Sequence, residues 1–146
     1  GVLLGRIVDF ARGELAQRKV HCKVSAAPGL EADIDERLVR SALWNLLRNG
    51  LEAMPQGGTL WLDLHRAEGA DGSTAKLVLA VEDSGAGIAP EVADRVFEPF
   101  FTTKERGTGV GLALVMEAAR AHQGTVELVP PIHGSGARVQ LSLACL

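Results

Sequence analysis

Two hydrophobic periods alternate along this chain, and their order restricts the folds that it can adopt. Apolar residues recur every three to four positions in three stretches, which is the period of a helix with one buried face. These stretches cover residues 3–17, 38–51 and 112–119. Asp33, three positions before Glu36, resembles an N-terminal capping box for the second helix. Gly124 is expected to end the third helix in a left-handed conformation.

Between the helices, apolar and polar residues alternate with the period of two that is typical of half-buried strands. This alternation covers residues 19–25, 59–65, 125–129 and 137–143, and residues 77–81 form a continuous apolar run. The order of elements predicts an α+β two-layer sandwich, with about three helices on one face of a mixed, mostly antiparallel sheet of about five strands. We expect the sheet to begin as hairpins.

The composition is that of one globular domain, here residues 1–146, with 47% apolar and 23% charged residues. The net charge of −3 argues against binding to nucleic acid or to an anionic membrane surface. No apolar run approaches the ~18 residues that a membrane span requires. Cys22 and Cys145 stand far apart without a metal-binding cluster, which favours a reducing, cytoplasmic compartment.

Three polar side chains share one face of the second predicted helix. Asn45, Asn49 and Glu52 lie four and three residues apart, beside the apolar stripe. Asparagine and Gly50 are weak helix formers, and close approach by another group would explain their presence. A carboxamide oxygen is a hard, neutral ligand that suits Mg²⁺, whose other ligands are commonly water and phosphate. A solvated helix face is the alternative interpretation.

A carboxylate follows the continuous apolar run. Asp83 opens the sequence Asp-Ser-Gly-Ala-Gly-Ile, so it stands at a strand end beside Gly85 and Gly87. A carboxylate accepts a hydrogen bond from an exocyclic amine such as that of adenine, and glycine lets a flat ring approach the backbone. An ordinary Asx turn is the alternative interpretation.

A second glycine cluster, at Gly107, Gly109 and Gly111, directly precedes the third helix. Unpaired N–H groups at a helix N-terminus form a site for an anion such as phosphate. Lys104 and Arg106 stand just upstream and add positive charge. The cluster is neither a Walker loop nor a dinucleotide-binding fingerprint, because it lacks the Gly-Lys-Ser/Thr or the third glycine of those motifs.

Four segments, taken in order, resemble the N, G1, F and G2 boxes of the ATP-binding catalytic domain of sensor histidine kinases. They are Asn-Leu-Leu-Arg-Asn at 45–49, Asp-Ser-Gly-Ala-Gly at 83–87, Phe-Glu-Pro-Phe-Phe at 97–101 and Gly-Thr-Gly-Val-Gly-Leu at 107–112. The resemblance covers nearly the whole chain, and the Gly-Ser-Gly turn at 134–136 resembles the family's closing glycine motif. Residues 49–54 and 100–104 look most like the nitrogen-regulator subgroup.

The resemblance implies that the chain binds ATP and Mg²⁺. Asn49 would ligate Mg²⁺, Asn45 would support the metal and the phosphates, and Lys104 would contact phosphate. Asp83 would bind the adenine amine. The other nucleotide contacts that the resemblance implies are Gly85, Gly87, Ile88, Gly107, Thr108, Gly109, Val110, Gly111 and Leu112. Residues 89–106, a stretch longer than ordinary loops, would form the ATP lid, with the aromatic residues of 97–101 anchoring it and facing a partner domain.

The same nucleotide fold serves gyrase, heat-shock chaperone and mismatch-repair ATPases. In those hydrolases a glutamate four residues before the metal-binding asparagine is the general base, and here that position is Asn45. A carboxamide cannot take a proton from water, so the sequence favours phosphoryl transfer over hydrolysis. The alternatives are a hydrolysing ATPase clamp and a nucleotide-binding switch of the anti-sigma type or an inactive interaction module. Glu52 replaces a basic phosphate contact of larger subgroups, and we interpret it as structural.

The phosphoacceptor of sensor histidine kinases is a histidine followed by an acidic residue. None of the histidines of this chain is followed by an acidic residue: His21, His65, His122 and His133. The resemblance therefore implies transfer of the γ-phosphate to a histidine on a separate dimerisation domain of the same kinase, with a response regulator downstream. The isolated chain is expected to be a monomer that does not phosphorylate itself. His122 is expected to be a partner of the third helix's dipole or a surface residue.

Overall fold

A computed structural model describes residues 2–69, 72, 75–101 and 111–144 of the chain. Its helices are α1 (Val2–Gln17), α2 (Glu36–Glu52), the single-turn α3 (Pro90–Ala93) and α4 (Gly111–Ala121). Its strands are β1 (Val20–Ala26), β2 (Gly58–Ala67), β3 (Lys76–Asp83), β4 (Thr125–Val129) and β5 (Arg138–Ala144). The predicted α+β architecture, with three long helices and five strands among the described residues, is confirmed.

The strands form one mixed sheet in the order β1-β2-β3-β5-β4. The pairs β2–β3, β3–β5 and β4–β5 are antiparallel, as predicted. β1 pairs with β2 in parallel, with Val20 opposite Gly58. The expected hairpin at the start of the sheet is therefore wrong: a parallel pair requires a crossover connection, and α2 lies within it.

The helices cover one face of the sheet. Strand side chains alternate between this face and the other one. The core contains the predicted stripes of α1 and α2, and it includes Leu77, Leu79 and Val81 of β3. The intervening residues of β3 face the other side of the sheet. Two adjacent carboxylates at the end of this strand, Glu82 and Asp83, consequently lie on opposite faces.

The N-terminus of α2 is capped by Asp35, and the prediction of Asp33 as the cap was wrong. The Asp35 side chain accepts a hydrogen bond from the Leu38 N–H at 3.1 Å, and its backbone is extended. Glu36 is the first helical residue, whereas a capping box requires the acidic residue at the third. Glu36 forms an ion pair with Arg40 one turn further along the helix.

We expect Asp35→Ala to lower the free energy of unfolding by about 1 kcal/mol, because the Leu38 N–H loses its acceptor. In a chain of this size that loss corresponds to about 2–4 °C in melting temperature. Asp33→Ala is the matched control, since it removes the same charge two residues upstream and leaves the cap in place. Equal shifts of the two variants in thermal melting would contradict the assignment.

The end of α4 is left-handed, but the left-handed residue is Gln123 and the prediction of Gly124 was wrong. Gln123 has φ 50°, and the N–H of Gly124 donates to the Ala119 carbonyl at 2.8 Å. The N–H of Gln123 donates to the Arg120 carbonyl at 3.1 Å, which completes a Schellman motif. Gly124 is required for space, because a Cβ there would overlap the carbonyl oxygen of Ser142 in β5.

His122 contacts a carbonyl near the C-terminal end of α4, which agrees with its expected role as a partner of that helix end, and it also joins α4 to the cap of α2. Its Nδ1 lies 2.7 Å from the Ala118 carbonyl oxygen, to which it must donate. Its Nε2 accepts the backbone N–H of Asp35 at 2.9 Å. A ring nitrogen that accepts carries no proton, so His122 is neutral in this arrangement.

Candidate functional site

Asp83 ends β3 on the face of the sheet that the helices cover, and it is 7% exposed. Its Oδ1 accepts the backbone N–H of Gly85 at 2.8 Å and, more weakly, that of Ala137 at 3.4 Å. Burial raises the pKa of Asp83, the two N–H groups lower it, and the neighbouring Glu82 charge raises it again. The net result is a raised pKa, which marks a carboxylate that is poorly solvated.

α2 lies close to Asp83 because Gly50 carries no side chain. A Cβ on Gly50 would lie 2.5 Å from Leu60 Cδ2 and 3.6 Å from Asp83 Cβ. The close approach that the sequence suggested at this glycine is thus made by β2 and β3. It places the backbone of α2 at Gly50 against the end of β3 that carries the carboxylate.

The structure places two residues of the predicted phosphate end together, Asn45 of α2 and Gly111 of α4. Asn45 and Asn49 are half-buried on α2, and Asn45 Nδ2 donates to the Ser41 carbonyl at 2.8 Å. Asn45 Oδ1 faces the first residue of α4, since a Cβ on Gly111 would lie 3.1 Å from it. Glu52 lies 3.8 Å from Arg48 in an ion pair within α2.

One of the two glycines after Asp83 is also required by a contact within the protein. A Cβ on Gly85 would overlap the carbonyl oxygen of Ala53, which follows α2. Gly87 has φ 79°, a left-handed conformation that glycine adopts readily, and it lies beside the backbone of residues 135 and 136. Ile88 is half-buried next to it. The sequence explained both glycines by an approaching ligand ring, and for Gly85 the structure adds an internal reason.

The closing glycine turn forms a wall beside Asp83. Gly136 is buried, and a Cβ on it would overlap the backbone oxygen and Oδ1 of Asp83. The Asp83 N–H donates to the Ala137 carbonyl at 3.0 Å, which pairs the turn with the end of β3. The segment that resembles the family's closing motif therefore contacts the predicted adenine-binding residue.

Glu82, on the opposite face of the sheet, is fully buried and was not predicted from the sequence. It accepts three consecutive backbone N–H groups: Ile132 at 3.0 Å, His133 at 2.7 Å and Gly134 at 2.8 Å. The available signal was an acidic pair directly after an apolar run, because the alternation of a strand sends its two members to opposite faces.

Arg138 links Glu82 to a second carboxylate on this face. Its Nη1 donates to Glu82 Oε2 at 3.0 Å and to Asp63 Oδ2 at 2.8 Å, and the residue is 4% exposed. Burial raises the pKa of Glu82, but the turn N–H groups and Arg138 lower it below its ordinary value. Burial also raises the pKa of Asp63, but Arg138 and His133 lower it, and the resulting pKa is below its ordinary value. Both carboxylates are therefore ionised at neutral pH.

Part of the predicted site lies outside the described residues: Lys104, Gly107, Thr108, Gly109 and Val110. Residues 102–106 of the predicted lid also lie outside them. In the remaining lid segment, Phe97 packs against the core, and Phe100 is 79% exposed. The Arg95 guanidinium lies over the Phe101 ring, 4.6 Å from its centroid. Leu112, the last predicted contact, is half-buried at the start of α4.

The described residues offer neither a membrane-spanning helix nor a cluster of metal-binding side chains. None of the helices described is long and apolar enough to cross a membrane. The described histidine, cysteine, aspartate and glutamate side chains form no group of three or more that could hold a metal ion. The predicted Mg²⁺ ligand, Asn49, is a carboxamide and belongs to a different class of donor.

Residues 34–145 match the sequence profile of a family described as histidine kinase-, DNA gyrase B-, and HSP90-like ATPase. The chain is 37% identical over 123 residues to nitrogen regulation protein NtrY of Azorhizobium caulinodans. It is 38% identical over 116 residues to the sensor histidine kinase ZraS of Escherichia coli O157:H7. Each match covers 80% of this chain, but 15% of NtrY and 23% of ZraS, so the chain corresponds to a small part of these relatives.

Solved structures agree with these matches. The catalytic domain of the histidine kinase ThkA superimposes with a TM-score of 0.85 at 22% identity, over 98% of this chain and 90% of that one. Full-length ShkA in complex with AMPPNP superimposes with a TM-score of 0.81 at 25% identity, over 99% of this chain and 30% of that one. The resemblance to sensor histidine kinases is confirmed, and the chain belongs to the histidine kinase-, DNA gyrase B- and HSP90-like ATPase family.

Proposed function

We propose that residues 1–146 are the catalytic domain of a histidine kinase, which binds ATP and Mg²⁺ and transfers the γ-phosphate to a histidine on a separate dimerisation domain. The observation that carries the proposal is the buried carboxylate of Asp83, enclosed between α2 and the closing glycine turn. Family membership supports it, as does the AMPPNP complex of ShkA. We also propose that this domain is cytoplasmic and that it is a monomer when isolated. A response regulator would then receive the phosphate from the histidine.

The adenine end of the site is proposed at Asp83. Its carboxylate accepts hydrogen bonds, and the exocyclic amine of adenine donates them. Because the carboxylate is withdrawn from water, a hydrogen bond to it is stronger than the same bond at the surface. Gly85, Gly87 and Ile88 follow directly and supply the surface on which the ring would lie.

The phosphate end is proposed at the start of α4. This helix is 11 residues long, and the N–H groups of its first turn favour an anion. Asn45 Oδ1 already lies against Gly111 there. We propose that the remaining phosphate contacts are Lys104, Gly107, Thr108, Gly109, Val110 and Leu112, with residues 89–106 as the lid.

The residues present fit a bound Mg²⁺ ion. Asn45 and Asn49 offer half-buried carboxamide oxygens on one face of α2, near the proposed phosphate end. Asn49 would hold the ion, and Asn45 would orient its oxygen toward the phosphates because its Nδ2 is tied to Ser41. A bound Mg²⁺ neutralises charge that develops on the transferring phosphoryl group.

Phosphoryl transfer is favoured over hydrolysis by the chemistry of Asn45. A carboxamide cannot activate water, so this position supplies no general base. Transfer to histidine requires none from this domain, since an imidazole nitrogen of the acceptor is itself the nucleophile. The contribution of this chain is then to position ATP and stabilise charge.

We expect calorimetric titration to show that Mg²⁺ strengthens ATP binding and that Asn49→Ala removes this gain, about tenfold or 1.4 kcal/mol in affinity. The loss has its origin in the missing carboxamide oxygen. Titration of the same variant without Mg²⁺ is the control and should match the parent chain. An Asn49→Ala chain that retains the full Mg²⁺ effect would contradict the assigned ligand.

Transfer is tested by incubating the chain with γ-labelled ATP and the histidine-bearing dimerisation domain of its parent kinase. Acid-labile label on that domain, and none on the chain alone, supports the proposal. Steady release of phosphate without the partner would favour the hydrolysing ATPase. Nucleotide binding with neither transfer nor release would favour a switch or an inactive interaction module.

A further inference from the structure

We propose that Glu82 is a positioning residue of the nucleotide site, which acts through the closing glycine turn from the opposite face of the sheet. The inference rests on the proposed binding of adenine at Asp83. It gives a role in the site to a side chain that would not itself contact the nucleotide.

Four donors meet the carboxylate of Glu82. Glu82 Oε1 accepts the N–H groups of His133 and Gly134, and Oε2 accepts those of Ile132 and the Arg138 guanidinium. Glu82 is fully buried, and a carboxylate withdrawn from water is unfavourable without its donors, so the turn keeps this conformation while the carboxylate remains. Both oxygens are therefore used in fixing residues 132–134.

The segment that Glu82 fixes leads directly to Asp83. Two residues beyond Gly134, the chain reaches Gly136, which packs directly on Asp83. The next residue, Ala137, exchanges hydrogen bonds with the backbone and side chain of Asp83. The segment 132–137 is thus held by Glu82 at one end and forms the wall beside Asp83 at the other.

Apolar packing does little to hold this turn. Residues 131–135 are exposed, and Ile132 has 71% of its surface in solvent. The His133 ring stacks on Trp61 with centroids 5.2 Å apart, and its Nε2 lies 3.2 Å from Asp63 Oδ2. The hydrophobic core lies on the other face of the sheet. Loosening the turn is therefore expected to change the site while leaving the core intact.

The test compares Glu82→Gln with Asp63→Asn in the whole chain. Glutamine presents an N–H₂ group to donors that need an acceptor, whereas Asp63→Asn disturbs the same ionic cluster and leaves the turn hydrogen bonds to Glu82 in place. We expect Glu82→Gln to raise the dissociation constants of ATP and ADP by the same factor, about tenfold or 1.4 kcal/mol. Asp63→Asn should leave both unchanged. Titrations are made well below the melting temperature of each variant.

A second readout is amide hydrogen exchange of residues 132–137, which should accelerate in Glu82→Gln and not in Asp63→Asn. Glu82→Asp, which keeps the charge and shortens the reach, decides the question if Glu82→Gln does not fold, and we expect an intermediate loss of affinity. Faster exchange with nucleotide affinity within about twofold of the parent overturns the positioning role alone. A folded parent chain that binds neither ATP nor ADP overturns the proposed function as well.

Discussion

Asp83→Asn is expected to raise the dissociation constant for ATP about 100-fold, because a hydrogen bond to a charged group contributes roughly 1.5–3 kcal/mol. The carboxamide can still accept the Gly85 N–H through its oxygen. Its other end presents an N–H₂ group in place of an acceptor, and the adenine amine then meets a donor. Calorimetric titration with ATP measures the loss.

The same substitution is expected to stabilise the chain without nucleotide. The folded-state pKa of Asp83 is raised, so its contribution to stability is present below its ordinary pKa of about 3.9 and is lost as the pH rises through the folded value. Asparagine cannot ionise and avoids that loss. The free energy of unfolding of Asp83→Asn should therefore exceed that of the parent at pH 7, and the difference should close below about pH 3.9.

Asp63→Asn is the matched control, and for it we expect a lower free energy of unfolding at pH 7 and an unchanged affinity for ATP. The pKa of Asp63 is lowered, so its contribution to stability is present above its ordinary pKa and is lost as the pH falls through the folded value. Removing it leaves Arg138 with one ionic partner fewer and should destabilise the chain by about 1–3 kcal/mol at pH 7, with ATP affinity unchanged. An Asp83→Asn chain that is destabilised and still binds ATP would contradict our account of this site.

Most of the secondary structure could be predicted from the local pattern of apolar and polar residues in this sequence. The predicted strand at residues 125–129 is β4, and the apolar run at 77–81 lies within β3 (Lys76–Asp83). These elements were predictable because burial on one face imposes a period that any window of ten residues displays. The helix stripe around Leu46 and Leu47 was predictable for the same reason.

Features that depend on distant residues were not predictable in this way. Periodicity does not distinguish a parallel from an antiparallel neighbour, so the β1–β2 pairing was missed. Gly124 looked like a left-handed cap, and only its contact with Ser142 in another strand shows that the glycine provides space. The difference between Asp33 and Asp35 as cap depends on where the first turn of α2 begins, and both residues suit that position chemically.

The candidate site likewise contains residues that could be predicted from local motifs and residues that could not. Asp83 and Asn45 stand in short motifs whose chemistry is local, so they could be named from sequence. Glu82 and Arg138 are 56 residues apart, and they meet because β3 pairs with β5. Each looks like an ordinary surface charge until that pairing is known.

The largest expected effect on stability comes from one methyl group in the closing turn. Gly136→Ala would place a Cβ on the backbone oxygen and Oδ1 of Asp83. Neither group can withdraw easily, because Asp83 and Ala137 are hydrogen-bonded and the β3–β5 ladder begins at the next pair, Glu82 and Arg138. We expect a loss of about 3 kcal/mol in the free energy of unfolding, at the upper end of overpacking effects, together with the loss of ATP binding.

Gly134→Ala is the control for this prediction, two residues away in the same turn. The nearest atoms to a Cβ on Gly134 belong to the Trp61 ring, at 3.4 and 3.5 Å, which is ordinary contact. Since neither glycine has a positive φ, the two variants differ in available space and not in backbone strain. Gly134→Ala should therefore remain within about 0.5 kcal/mol of the parent in urea unfolding and should bind ATP normally. Equal destabilisation of the two variants would mean that the turn does not press on Asp83, and the wall beside the proposed adenine site would lose its physical basis.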